Sequence, residues 1–273
     1  MNNMEELRKV QIEMLQTFKN ICVKHGLTWF CVCGTALGAV KYGGFIPWDD
    51  DLDVALPRED YEKFLEVAPL YLPEYMFLQN YKTDKRFPHP FSKLRNSNTT
   101  FIEHGMSHLN INHGVYIDIF PIDGYPKKDG DIKKLKFKKK VFQNLFYCSL
   151  DNKVRLNGAI RKHILRFFGF HKITHVTLDR FSKMVSEYKT ENSDVWCNHG
   201  NWQGDLEYAA RSQYGNGTAA TFEGIEVIVP ENYDAYLTQK YGDWRSDPPL
   251  EDQKTHHIVK VIDTSKPYTE YFK

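Results

Sequence analysis

Apolar residues recur at Leu7, Val10, Met14, Phe18 and Ile21 within the charged stretch Met1–Gly26, the period of a helix with one buried face. Leu27–Cys33 (LTWFCVC) is β-branched and aromatic and predicts a strand ending at Gly34. Thr35–Tyr42 predicts a short helix closed by Gly43-Gly44. A second strand, Val54-Ala55-Leu56, follows an acidic run and is broken by Pro57. The helix Arg58–Ala68 comes next, with Tyr61, Phe64, Leu65 and Ala68 on one face. Tyr75–Tyr81 and Phe91–Arg95 are further strand candidates. The clearest is Gly114–Ile122 (GVYIDIFPI), an apolar run carrying one carboxylate, Asp118. From Lys127 to about Lys189 the pattern turns helical and basic. A hairpin is predicted at Thr221-Phe222 and Ile225–Val229 around Glu223-Gly224, then a helix Tyr233–Tyr241 closed by Gly242. Together these predict an α+β fold in three parts: a mixed-sheet core over 1–126, a helical region over 127–215, and a hairpin and helix over 216–273 returning to the core.

Composition narrows the class. The 273 residues hold 36 Lys+Arg and 35 Asp+Glu, but the charge is segregated. Between Lys127 and Lys172 there are 14 basic and 3 acidic residues, leaving the remainder acidic. A near-neutral total argues against a general polyanion binder, while a segment this basic can face an anionic surface. With 41% hydrophobic and 26% charged residues, disordered and fibrous classes are excluded. No stretch approaches the ~20 apolar residues of a membrane span, and the charged N-terminus lacks a secretory core. Five cysteines without a CxxC pair read as reduced thiols, so a cytoplasmic protein is expected.

The acidic run carries the chemistry. On a strand, Asp51 and Asp53 share one face and Leu52 and Val54 the other. Two carboxylates on one face repel unless a cation lies between them, and hard oxygen ligands suit Mg²⁺ or Mn²⁺. Asp118, between Ile117 and Ile119, supplies a third ligand if the strands are neighbours; a lone charge buried in mid-strand costs several kcal/mol otherwise. Asp49, Asp51 and Asp53 also match positions of a calcium loop, but Val54 and Asp60 stand where that loop needs Gly and Glu. An acidic surface turn is the structural alternative. Gly34-Thr35, closing one strand and opening a helix, offers amide and hydroxyl donors to a phosphate.

Read together, GTALGAVKYGGFIPWDDDLDVALPREDYEKF (Gly34–Phe64) closely resembles the signature of the LicD family of phosphocholine transferases, related to the fukutins. The likeness continues in KLRNSNTT (Lys93–Thr100), YIDIFPIDG (Tyr116–Gly124) and VPENYDAYLTQKYGDW (Val229–Trp244), and thins across the basic helices. The resemblance implies a nucleotidyltransferase-like mixed sheet flanked by helices. Its Gly-Ser/Thr, Asp-x-Asp and third-carboxylate pattern falls on Gly34 and Thr35, Asp51 and Asp53, and Asp118. It further implies CDP-choline as donor and a sugar hydroxyl of teichoic acid or lipopolysaccharide as acceptor. Asp49 would then support the metal ligands, and Asp50 would be solvated or structural.

Within that frame Lys93 and Arg95, alternating on one strand face, are candidates for the donor phosphates or cytidine, with surface charge as the alternative. Choline is a quaternary ammonium, held by cation–π contact; Trp48 is the first candidate and Tyr116 the second, with Trp196, Trp202 and Trp244 unplaced. His256-His257 either lies in a surface loop or returns to the site. Asp131–Lys140 (DIKKLKFKKK), followed by Val141-Phe142 and Leu145-Phe146, reads as a dock for a membrane surface or a polyanion, or as a solvated helical face. No nucleic-acid module is evident. A CDP-polyol donor, a glycosyltransferase using a sugar nucleotide, and a non-catalytic carbohydrate-anchoring protein remain alternatives.

Overall fold

The structure is a computed structural model and describes residues 3–147, 163–164, 167–201, 207–255 and 257–272. Trp202 and His256 lie outside these. In chain order the elements begin with α1 (Asn3–His25), β1 (Phe30–Cys31), α2 (Cys33–Lys41), β2 (Asp53–Pro57) and α3 (Arg58–Val67). Then come β3 (Met76–Gln79), β4 (Ser92–Asn96), β5 (Thr100–Glu103), β6 (Val115–Gly124) and α4 (Asp129–Tyr147). The chain closes with α5 (Thr174–Val185), β7 (Val195–Cys197), β8 (Tyr208–Ala210), β9 (Thr218–Phe222), β10 (Ile225–Val229), α6 (Tyr233–Tyr241) and β11 (Val259–Asp263). The fold is α+β.

One mixed sheet runs β1-β2-β6-β4-β3, and the end of β6 continues through β7 into β8. Among the described residues only β2 and β6 pair in parallel; the other described pairs are antiparallel. Two ribbons, β9-β10 and β5-β11, complete the strands. Every residue of β2, β4 and β6 is buried; β2 and β6 are largely apolar, as strands covered on both faces require, whereas β4 buries Ser92, Lys93, Arg95 and Asn96 with Leu94. Helix α1 supplies one cover: Leu7, Met14, Leu15, Phe18 and Ile21 are buried, and Phe18 lies edge-on to Trp29 with ring centroids 5.5 Å apart. Arg58, at the start of α3, clamps Asp123 of β6 with two 2.7 Å hydrogen bonds, both side chains buried.

The predicted first strand is shorter than expected. Cys33 has φ +51, a left-handed conformation that ends the strand and starts α2 one residue before Gly34. Two strands of the main sheet, Val195–Cys197 and Tyr208–Ala210, come from within the stretch expected to be helical. Cys22, Cys31, Cys33 and Cys197 are buried free thiols. Among the described residues no helix is long and apolar enough to cross a membrane.

Candidate active site

The parallel pairing of β2 and β6 sets Asp53 directly opposite Asp118. The same register places Lys93 of β4 opposite Asp118 on its other side. Strand partners project to the same face, so two carboxylates and one ammonium line up across three strands. The Lys93 Nζ sits 2.9 and 3.2 Å from the two Asp118 oxygens. Burial, joined by the charges of Asp51 and Asp118, pushes the Asp53 carboxyl well above the carboxylate range. Burial raises Asp118 too, against the opposing pull of Lys93. Among the described residues no basic side chain lies within ion-pair distance of Asp53.

Asp51 stands in the loop just before β2 rather than in the strand. Its carboxylate gathers with those of Asp49 and Asp50, ligand atoms of all three lying within 4.8 Å of one another. Asp49 packs against the first turn of α2: a Cβ on Gly34 would fall 2.7 Å from its Oδ2. The Asp49 carboxylate thus lies against the positive end of α2, at the turn expected to face a phosphate. Burial and the neighbouring Asp51 push Asp49 up to about 8. The Thr35 hydroxyl accepts a 2.7 Å hydrogen bond from the Asp53 amide, fixing the start of β2 to α2 and leaving its proton to be donated. A carboxylate group held this close, with several members forced toward protonation, lacks positive charge. These carboxylates could hold a hard divalent cation, and the all-oxygen donor set fits Mg²⁺ or Mn²⁺.

The loop is held from two directions that the sequence did not announce. The Arg8 guanidinium donates to the carbonyls of Ile46, Pro47 and Asp49 at 2.8, 2.9 and 3.0 Å. The Gln11 amide donates to the Asp50 carbonyl at 3.0 Å and the Tyr116 carbonyl at 3.3 Å. Gln11 is a polar residue in the buried stripe between Leu7 and Met14, and that interruption was the available signal. From the C-terminal side His257 places Nδ1 3.0 Å from Asp50 and 4.0 Å from Asp51. It is therefore not a surface-loop residue, and Asp50 is buried and paired rather than solvated. Burial disfavours the charged ring, but the Asp50 hydrogen bond and the charges of Asp51 and Glu103 prevail and raise His257 to about 9.

Two sequence assignments need correction. Arg95 is fully buried, its Nε bonded to Gln79 at 2.7 Å and its Nη1 to the Gly114 carbonyl at 2.7 Å. It is a cation of the interior because β4 lies between β6 and β3 with both faces covered. Tyr116 is 2% exposed, with the Lys93 ammonium 3.2 Å from its ring centroid and Arg95 4.6 Å away. That ring already holds protein cations and has no free face for choline. Trp48, by contrast, is half-buried beside the acidic loop, edge-on to Tyr42 at 6.4 Å. Trp196 and Trp244 are buried with their indole N–H groups bonded to the Thr190 carbonyl and to Asp234.

The profile of the family described as LicD/FKTN/FKRP, nucleotidyltransferase domain, matches residues 26–154, which include α2, the acidic loop, β2, β4 and β6. Residues 26–154 thus match the LicD family, over 129 of the 273 residues. Over 271 aligned residues it is 26% identical to the lipopolysaccharide cholinephosphotransferase LicD of Haemophilus influenzae, covering 94% of this chain and 97% of that protein. An uncharacterised protein of Rickettsia typhi is 32% identical over 59 residues, 22% of this chain and 19% of its own. Another from Rickettsia prowazekii is 30% identical over 59 residues, 22% of each chain. The domain match thus falls on the segments that place Asp51, Asp53 and Asp118.

Proposed function

We propose that this chain transfers phosphocholine from CDP-choline to a sugar hydroxyl of a lipopolysaccharide- or teichoic-acid-type glycan precursor, releasing CMP. The observation that carries the reading is the in-register placement of Asp53 and Asp118 beside the Asp49–Asp51 loop, in a chain aligned along its length with a cholinephosphotransferase. Asp51, Asp53 and Asp118 would hold Mg²⁺ or Mn²⁺, with Asp49 and Asp50 steadying the loop. When bound, such a cation neutralises the donor's diphosphate oxygens and the charge left on CMP.

The chain's own groups do the positioning. The Thr35 hydroxyl and the first amides of α2 are the donors offered to the phosphates. Asp118, raised by burial, takes the proton of the attacking hydroxyl on a carboxylate oxygen, while Lys93 fixes its orientation. The sugar oxygen forms the new bond to phosphorus as the bond to the CMP oxygen breaks. Trp48, with Tyr42 at its edge, offers an aromatic face to the quaternary ammonium.

The test is incubation of the purified protein with labelled CDP-choline, a CDP-polyol or a UDP-sugar, with a glycan acceptor. CMP release from CDP-choline that stops on chelation of divalent cations is the expected result. Asp53→Asn lowers turnover by at least ~10²-fold while the protein remains folded, since removing one charge from a repelling cluster does not weaken the core. Transfer from a UDP-sugar alone, or near-native turnover by Asp53→Asn, overturns the assignment.

A further inference from the structure

Helix α4 has two apolar faces, and the core uses only one. Leu135 is buried and Phe142 half-buried against α5, where they meet Phe181, Met184 and Val185; the Phe142 and Phe181 rings are 5.5 Å apart. On the other side Phe137 and Val141, one turn apart, are 70% and 43% exposed. At helical spacing Lys133 and Lys140 flank this second stripe on one side and Lys134 and Lys138 on the other, all exposed. Close by, Phe167 and Phe168 are 84% and 70% exposed, and the turn Phe170–Ile173 that follows them packs on α4. Single exposed apolar residues are ordinary on a protein surface. A lysine-flanked apolar stripe on α4, with two exposed phenylalanines leading into a turn packed on that helix, marks an interaction surface.

We propose that this face docks on a bilayer surface containing anionic phospholipid. The aromatic and aliphatic side chains enter the boundary between headgroups and acyl chains, and the flanking ammonium groups meet lipid phosphates. Charge complementarity selects this occupant. Helix α4 carries Lys133, Lys134, Lys136, Lys138, Lys139 and Lys140 against Asp129 and Asp131, while the chain outside residues 127–172 is acidic in sum, so an anionic surface attracts this helix. A soluble polyanion would engage the lysines and leave Phe137, Phe167 and Phe168 in water. A second copy of the chain would set lysine stripe against lysine stripe.

The inference rests on the proposed function and extends it by placing the glycan acceptor at a lipid surface, but binding is read without turnover, so either can fail alone. The experiment is co-sedimentation with phosphatidylcholine vesicles, with and without about one-third phosphatidylglycerol, at low and high salt. Binding is expected only to the anionic vesicles, falling with salt. Each change among Lys133→Gln, Lys134→Gln, Lys138→Gln and Lys140→Gln weakens it by roughly fivefold. Phe137→Ser weakens it at least about tenfold, and Phe167→Ser with Phe168→Ser does so again. Phe137→Trp, retaining the aromatic face, gives an independent readout: its fluorescence shifts to the blue on anionic vesicles alone. Equal partition to neutral vesicles overturns the proposal. So does wild-type binding by the Phe→Ser variants, or displacement of all binding by soluble polyphosphate with no blue shift on vesicles in the Phe137→Trp protein.

Discussion

His257 changes what the acidic run means. Three consecutive aspartates at the surface would repel one another mildly in water; here Asp49 and Asp50 are buried, and His257 is the base that reaches Asp50. Removing it leaves a buried carboxylate without its hydrogen bond, beside the residues assigned to the cation. His257→Ala is expected to weaken Mn²⁺ binding by about 10–100-fold, measured by direct titration of the protein with the ion. Lys93 acts on the other end of the cluster. Lys93→Met leaves Asp118 buried and unpaired, which costs roughly 3–5 kcal/mol on denaturant unfolding without divalent cation. Added Mn²⁺ should restore part of that loss if Asp118 is a ligand; an identical deficit with and without Mn²⁺ removes Asp118 from the ligand set. The carboxylates were legible in the sequence because they interrupt apolar runs. His257 was not, because nothing local to a histidine pair says that the chain has returned across more than two hundred residues.

At the scale of elements, the sequence was informative where boundary chemistry is local. Helix α6 runs Tyr233–Tyr241 as expected because Asn232 accepts the Ala235 amide at its start and Gly242 takes φ +69 at its end. The β9-β10 hairpin likewise turns at Glu223-Gly224, both at positive φ. The strands that escaped notice have no such punctuation. Val195–Cys197 and Tyr208–Ala210 are three residues each, and Thr100–Glu103 is a strand because Val259–Asp263 pairs with it from far along the chain. That same pairing is what brings His257 to the acidic loop. The turn after α2 gives the sharpest test at this scale. A Cβ on Gly38 would lie 2.3 Å from the Gly44 carbonyl oxygen, a backbone atom that cannot swing aside. Gly38→Ala must therefore displace the chain leading to Phe45–Asp50. A loss of about 1–3 kcal/mol on unfolding is expected, with turnover falling further than stability alone accounts for, because the displaced segment carries the carboxylates. Native turnover with native stability would show that the loop is not fixed through this contact.

For the whole molecule, buried titrating groups of opposite tendency bound the pH range of the fold. His89, His113 and His199 are neutral inside the protein, burial lowering them to about 3, about 4 and about 3. Unfolded, each titrates near ~6.5, so below that pH the unfolded chain binds protons that the native chain refuses. Stability then falls with decreasing pH, by up to about 1.4 kcal/mol per pH unit for each imidazole. Asp49 works the other way. Its carboxyl is raised to about 8, so between the unfolded carboxylate range near ~4 and pH 8 the native state holds a proton that the unfolded chain has lost. Its contribution is therefore lost progressively from pH ~4 to about 8, and that of His257 from ~6.5 to about 9. Without divalent cation, stability should therefore peak between these limbs, near neutral pH. A bound cation replaces the protons on the carboxylates, so Mg²⁺ should flatten the alkaline limb and steepen the acid limb above pH ~4, where the Asp49 proton otherwise opposes the histidines. Urea unfolding across pH, with chelator and with Mg²⁺, reads both. His199→Gln should reduce the acid slope by about one proton and leave the alkaline limb as it was; Asp49→Asn should steepen the acid limb above pH ~4 and flatten the alkaline limb up to about 8, by about one proton each. If Mg²⁺ altered only the acid limb, its ligands would lie away from the Asp49–Asp53 carboxylates.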